Sequence, residues 1–235
     1  MPQVVEMKEF FTILADTKTD TNLTPFARKV IKIYVDLQVC SKKREEKQHS
    51  KSSENQYFKE KIEHFKVILY MIKILFVCHG NICRSPMAEF VMKDLVKKAG
   101  LASQFHIESA ATSREEIGNP VYPPVRRKLA EHGIGCQGHA AKQMKKADYS
   151  HYDLLIGMDQ ANLRNMTRIC GGDPEEKIHL LMDYTDRPGQ VADPWYTGDF
   201  ETTYQDVLEG CQGLLEELKK DYQNHPLNGW FEQAL

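Results

Sequence analysis

One segment constrains this chain more than any other. IKILFVC at 72–78 runs into the loop HGNIC at 79–83, and Arg84-Ser85-Pro86 follows. A short apolar run ending at turn residues suits a strand buried on both faces. Serine as cap and proline at the first helical position predict a helix opening at Ser85-Pro86. Met87, Val91 and Leu95 mark its inner face, and Gly100 suits its stop. The same rhythm repeats downstream. FHIESAA (105–111) predicts a second strand, and VRRKLAEHGI a helix stopping at Gly133. DLLIGMD (153–159) predicts a third strand and KIHLLMD (177–183) a fourth. Tyr204, Val207, Leu208, Cys211, Leu214, Leu215 and Leu218 share one face of a last helix. Strands alternating with helices imply an α/β fold, a doubly wound parallel sheet in three layers. Such sheets bind ligands beyond the carboxyl ends of their strands, where the first strand delivers Cys78.

Character changes near residue 70. Residues 1–70 hold 13 Lys+Arg against 10 Asp+Glu, and residues 71–235 hold 18 against 23. Thr24-Pro25 predicts a helix start, with Phe26, Val30, Ile33 and Leu37 at helical spacing behind it. The stretch SKKREEKQHSKSSENQYFKEKIEH is almost wholly polar and predicts a solvated helix, linker or disordered segment. The division expected is therefore an N-terminal extension, 1–70, helical and partly disordered and of unreadable role, and an α/β domain, 71–235. Met71 opens MIKILFVCHG, so 1–70 reads as a fused or upstream-translated segment.

Several function classes are disfavoured. The net charge is −2 and no basic stripe with interleaved aromatics occurs, so nucleic acid is not an expected partner. The longest apolar run, VILYMIKILFVC (67–78), is too short for a membrane span and is interrupted by Lys73. Residues 1–20 lack the pattern of an export signal. The six cysteines, Cys40, Cys78, Cys83, Cys136, Cys170 and Cys211, then read as free thiols of a cytoplasmic protein. Cysteine-histidine zinc spacing is absent, as is a Gly-Lys-Ser/Thr nucleotide loop, so neither metal nor cofactor is expected. Cys136, Cys170 and Cys211 read as small buried hydrophobes. Oligomeric state is not legible.

The chemistry concentrates in VCHGNICRSP, residues 77–86. Gly80 and Asn81 tolerate positive φ, so the loop His79, Gly80, Asn81, Ile82, Cys83 can curl its N–H groups inward as an anion nest. A helix beginning beyond it adds its positive end. Arg84 supplies a planar fork for two phosphate oxygens. Amides that hold a phosphate also stabilise a thiolate, which makes Cys78 a candidate nucleophile. Ser85 is placed to donate a hydrogen bond to that thiolate as it leaves. An alkoxide or phenolate leaving group also needs a proton. Asp193, in VADPWYTGDF (191–200), is the candidate acid. Asp-Pro alone is a common turn opener, but here it accompanies a cysteine-arginine loop. Trp195 and Tyr196 beside it offer flat faces to a phenyl ring.

The pattern C-x5-R-S after the first strand, with an Asp-Pro-aromatic-aromatic loop near the C-terminus, resembles the low-molecular-weight protein tyrosine phosphatases. HGNICRSPMAE, SAATS…IGNP, MD…NLR and DPWYTGDFETTY occur in family order across about residues 71–222. The resemblance implies a four-stranded parallel sheet, no metal, and hydrolysis of phosphotyrosine in proteins or of aryl phosphates. By position it implies Cys78 as the nucleophile forming a phosphocysteine, Arg84 as phosphate clamp, and Asp193 as general acid and then base. Asn81, Ser85, Ser109 and His139 match the polar network that shapes the loop. Cys83 matches a second loop cysteine able to form a reversible disulfide with the nucleophile. His79 lies at a position the family varies, and Glu115 stands where many members place an aromatic wall. An arsenate reductase on the same fold would need a closely spaced downstream cysteine pair, and Cys136 and Cys170 are far apart. A non-catalytic phosphate-binding module would lack the nucleophile or the acid, and both are present.

Overall fold

A computed structural model of the chain describes residues 71–223. The helix expected after Thr24-Pro25, the polar stretch behind it and Cys40 lie outside the described residues. The elements run β1 (Ile72–Cys78), α1 (Arg84–Lys98), β2 (Phe105–Ala111), α2 (Pro123–Glu131), α3 (Asp148–His151), β3 (Leu154–Gly157), α4 (Gln160–Cys170), β4 (Ile178–Leu180), α5 (Pro194–Thr197) and α6 (Phe200–Gln223). The four strands form one sheet in the order β2-β1-β3-β4, and all pairings are parallel. β1 sits between β2 and β3, pairing Cys78 with Ala111 and Val77 with Gly157. Its carboxyl end therefore opens at the point where the strand order reverses, the place such sheets reserve for ligands.

Alternation along β1 builds two cores. Ile74 and Phe76 face α1, α2 and α6, packing with Met87, Val91, Leu129, Val207, Cys211 and Leu214. Leu75 and Val77 face the other way, onto Tyr152, Leu155, Met166 and Cys170. Both faces are covered, as a parallel sheet requires. Helix ends follow their glycines. Gly100 has φ 73°, and the N–H groups of Leu101 and Gly100 bond the carbonyls of Val96 and Lys97 at 2.8 and 3.1 Å. Gly133 closes α2 in the same way, through Ile134 to Leu129 and its own N–H to Ala130.

The structure corrects four local expectations. α1 begins at Arg84, one residue early, with Cys83 as the capping residue and no side-chain cap. Ser85 lies inside the first turn, and its hydroxyl bonds Cys78 and Asn81 instead of capping the helix. Pro86 is tolerated there because first-turn N–H groups have no intrahelical partner. β3 ends at Gly157, since Asp159 turns away to cap α4. β4 is only three residues long: the Asp183 carboxylate accepts from the Leu180 N–H at 3.1 Å and turns Leu181–Tyr184 into a 3-10 segment. In the loop after Cys78, positive φ belongs to Asn81 alone, at 58°.

Candidate active site

Asn81 organises the loop. It is fully buried. Its N–H points at Cys78 Sγ at 3.3 Å. Its side-chain amide donates both protons, to Ser85 Oγ at 3.0 Å and to Ser109 Oγ at 2.8 Å, while its Oδ1 accepts from Lys142 N–H at 3.1 Å. His139 Nε2 donates to the Asn81 carbonyl at 2.9 Å. These bonds hold a left-handed conformation that asparagine accepts more readily than other non-glycine residues.

The network also has a direction. Ser109 receives from Asn81 and passes its proton to Glu89 Oε2 at 2.5 Å. Glu89 is anchored in turn by Lys93 at 2.5 Å. Ser85 likewise receives from Asn81, which leaves its own proton for Cys78 Sγ, 3.1 Å away. The alternative acceptor, the Ala110 carbonyl, is farther, at 3.4 Å. A hydroxyl donor and a backbone N–H thus converge on one sulfur.

Arg84 is buried, and two carboxylates aim its guanidinium. Nη1 donates to Asp159 Oδ2 at 2.7 Å and Nη2 pairs with Asp193 Oδ2 at 2.6 Å. Asp159 uses its other oxygen to cap α4 at the Asn162 N–H, 2.7 Å. Asp193 uses its other oxygen to cap α5 at the Trp195 N–H, 3.1 Å. Trp195 packs against Tyr122, with ring centroids 5.6 Å apart, and the Tyr122 N–H bonds the Ile82 carbonyl at 2.9 Å. Tyr122 therefore links the loop that carries Asp193 to the loop after Cys78.

The cleft above the thiol encloses about 230 Å³. Cys78, His79, Gly80, Ile82, Cys83 and Arg84 form one part of its lining; Glu115, Glu116, Asp193, Trp195 and Tyr196 form the rest. Tyr196 is 85% exposed and Trp195 59%, a pair of aromatic faces held in water at the rim. At that rim His79 Nε2 meets Glu115 Oε2 at 2.9 Å. Cys83 is buried beneath the loop, and burial, followed by the charges of Cys78 and Asp193, pushes its thiol up to about 12. Cys83 thus stays protonated at neutral pH. The five described cysteines are free thiols.

Every site residue expected from the sequence is found in this assembly, in the lining or in the network behind it. Asp159, Glu89, Lys142 and Tyr122 were not singled out. Asp159 had a signal, an aspartate opening a helix three residues ahead of an asparagine, but that reads as a cap. Its second role appears only when β1 and β3 are placed side by side. No group of three or more His, Cys, Asp or Glu able to hold a metal occurs among the described residues.

Residues 73–224 match the family model described as low molecular weight phosphotyrosine protein phosphatase. The chain belongs to the low-molecular-weight phosphotyrosine protein phosphatase family. Low molecular weight protein-tyrosine-phosphatase YfkJ of Bacillus subtilis is 38% identical over 155 residues, covering 65% of this chain and 99% of the relative. The human low molecular weight phosphotyrosine protein phosphatase is 39% identical over 153 residues, 61% of this chain and 94% of the relative. Among solved structures, the low molecular weight protein tyrosine phosphatase SP-PTP of Streptococcus pyogenes superposes with a TM-score of 0.58 at 43% identity, covering 66% of this chain and 99% of that one. The protein is a phosphatase of this family, with the family's four-stranded parallel sheet.

Proposed function

We propose that the protein hydrolyses phosphotyrosine monoesters in two steps through a phosphocysteine on Cys78. The observation that carries this reading is the convergence on one cleft of a thiol held by Asn81 N–H and Ser85 Oγ and a buried arginine tied to a carboxylate that lines the same opening. In the first step the phosphate binds the loop amides and the Arg84 fork. Cys78 Sγ attacks phosphorus as Asp193 protonates the departing phenolate oxygen. The P–O bond to the aryl group breaks as the P–S bond forms. In the second step Asp193, now ionised, removes a proton from water, which attacks phosphorus. The thiolate leaves toward the Ser85 hydroxyl, and inorganic phosphate is released. Asp159 orients Arg84 throughout, and Ser109, His139, Glu89 and Asn81 keep the loop in shape.

Trp195 and Tyr196 present flat faces to an aryl ring, which supports tyrosine-phosphorylated proteins or other aryl phosphates as substrates. His79, Gly80, Ile82 and Cys83 complete the binding loop. Cys83 serves as a resolving thiol able to close a reversible disulfide on Cys78 under oxidising conditions, its high proton affinity sparing it from competing as nucleophile. Residues 71–235 form the catalytic domain and 1–70 an extension. No described helix is long and apolar enough to cross a membrane, and the free thiols support a cytoplasmic setting. The reading is tested with Cys78→Ser and Asp193→Ala on p-nitrophenyl phosphate and phosphotyrosine peptides. Cys78→Ser is expected to abolish turnover and retain phosphate binding. Asp193→Ala is expected to slow poor leaving groups most. Wild-type rates in either variant would remove that residue from the mechanism.

A further inference from the structure

The acid loop is gripped from behind by a face of α6 that the reaction itself does not use. Ala192, the residue before Asp193, has one N–H and one carbonyl, and α6 takes both. Asp206 Oδ2 accepts from the Ala192 N–H at 3.0 Å. The Thr203 hydroxyl reaches the Ala192 carbonyl at 3.0 Å, with the Asp199 carbonyl at 3.1 Å as its other acceptor. Thr203 and Asp206 are three residues apart and so lie side by side on one helix face. One residue earlier, Val191 N–H bonds the carbonyl of Met158 at the end of β3, at 2.9 Å. The backbone is pinned at two successive residues immediately before the carboxylate.

The grip is costly in a way that packing alone does not explain. Thr203 is fully buried and Asp206 is 5% exposed. A buried carboxylate is expensive unless it is paired and hydrogen-bonded. Here its second oxygen, Oδ1, is met by Arg187 Nη2 at 2.8 Å, and Arg187 is in turn held from outside by Glu209, with Nε to Oε2 at 2.7 Å. An apolar side chain at position 206 would fill the space but leave the Ala192 N–H unsatisfied.

We propose that Thr203 and Asp206 are positioning residues for Asp193, fixing the backbone from which its carboxyl reaches the leaving-group oxygen. This rests on the assignment of Asp193 as the general acid. A carboxyl displaced by about 1 Å loses much of its value for proton transfer, whereas the thiol and phosphate loop are untouched. The signature is therefore a leaving-group effect, not a general loss of activity.

The test measures kcat/KM, which reports phosphoryl transfer to the thiol, across aryl phosphates of graded leaving-group pKa. Wild type, Asp193→Asn, Thr203→Val and Asp206→Ala are compared, with Thr203→Ser and Asp206→Asn as variants that keep the hydroxyl and the acceptor. Thr203→Val and Asp206→Ala are expected to lose about tenfold on phenyl phosphate and less than about twofold on p-nitrophenyl phosphate, steepening the leaving-group dependence toward that of Asp193→Asn. Thr203→Ser and Asp206→Asn should stay near the wild-type dependence. Competitive inhibition by inorganic phosphate, unchanged within about twofold, shows that the loop is still folded. A steep dependence in Asp193→Asn with wild-type dependences in Thr203→Val and Asp206→Ala overturns this proposal alone. A wild-type dependence in Asp193→Asn overturns the acid assignment with it. An equal fall for all leaving groups in Thr203→Val and Asp206→Ala also overturns the proposal, since it marks a general structural loss.

Discussion

Replacing Asn81 separates the two tasks that the loop assigns to it. Its side chain makes three hydrogen bonds, to Ser85, Ser109 and Lys142, and its backbone sits at φ 58°. Three buried hydrogen bonds at about 1 kcal/mol each make Asn81→Gly cost about 3 kcal/mol. Asn81→Ala loses the same bonds and, unlike glycine, keeps a β-carbon in the left-handed region, which counts about 1–2 kcal/mol against it. Glycine gives back about 0.5–1 kcal/mol through its freer unfolded chain. The alanine variant should therefore be less stable than the glycine variant by up to about 1.5 kcal/mol, the reverse of the order in a helix. Urea denaturation read through the midpoint, with the slope checked for constancy, measures the difference. Both variants should also lose activity, because the N–H aimed at Cys78 Sγ is released with the side chain. An alanine variant more stable than the glycine variant would refute the argument that the left-handed loop conformation is a costly feature of the site.

Three further outcomes follow from the geometry. Ser85→Ala removes a hydroxyl 3.1 Å from Cys78 Sγ, and a hydrogen bond to a charged group is worth about 1.5–3 kcal/mol, so kcat should fall about 10–100-fold through slower breakdown of the phosphoenzyme, seen as a larger pre-steady-state burst relative to turnover. Gly213→Ala places a Cβ 1.8 Å from the Tyr184 carbonyl oxygen, a backbone clash that α6 cannot avoid, and should destabilise the domain by more than about 2 kcal/mol in thermal melts. The Cys83 thiol is raised from 9.0 to about 12 in the fold, so the unfolded chain ionises first, and the stability Cys83 contributes should be intact below pH 9 and lost as pH rises toward 12; Cys83→Ser should flatten that fall in denaturation curves taken across the window.

Much of this was legible beforehand because apolar periodicity and terminal glycines act locally. The limits of β2 and the stops at Gly100 and Gly133 needed no partner to be read. The Cys78–Ser85 loop was legible too, since its residue types make chemical sense together. What escaped needed the third dimension. Ser85 was read both as a helix cap and as a donor to the Cys78 thiolate, and sequence cannot show that only the second role is kept. Asp159 was read as the last residue of the third strand, whereas it caps α4 and aims Arg84 across the β1/β3 seam. The apolar face of the last helix was legible and Asp206 was not singled out on it, because its burial depends on Arg187 and Ala192 from a distant loop. β4 was overestimated because LLMD continues an apolar pattern while Asp183 folds back on Leu180. Glu115 was read as a missing aromatic wall, and the structure adds that its carboxylate engages His79.

The central claim is that phosphate passes through Cys78. Acid-quenched reactions of Ser85→Ala, in which breakdown of the phosphoenzyme is slowed and its formation is not, with p-nitrophenyl phosphate, digested and analysed by mass spectrometry, test it most directly. The account predicts one phosphate on the Cys78 peptide, formed within the first turnover and absent in Cys78→Ser. Turnover without any phosphoenzyme, or phosphate carried on another residue, would contradict it.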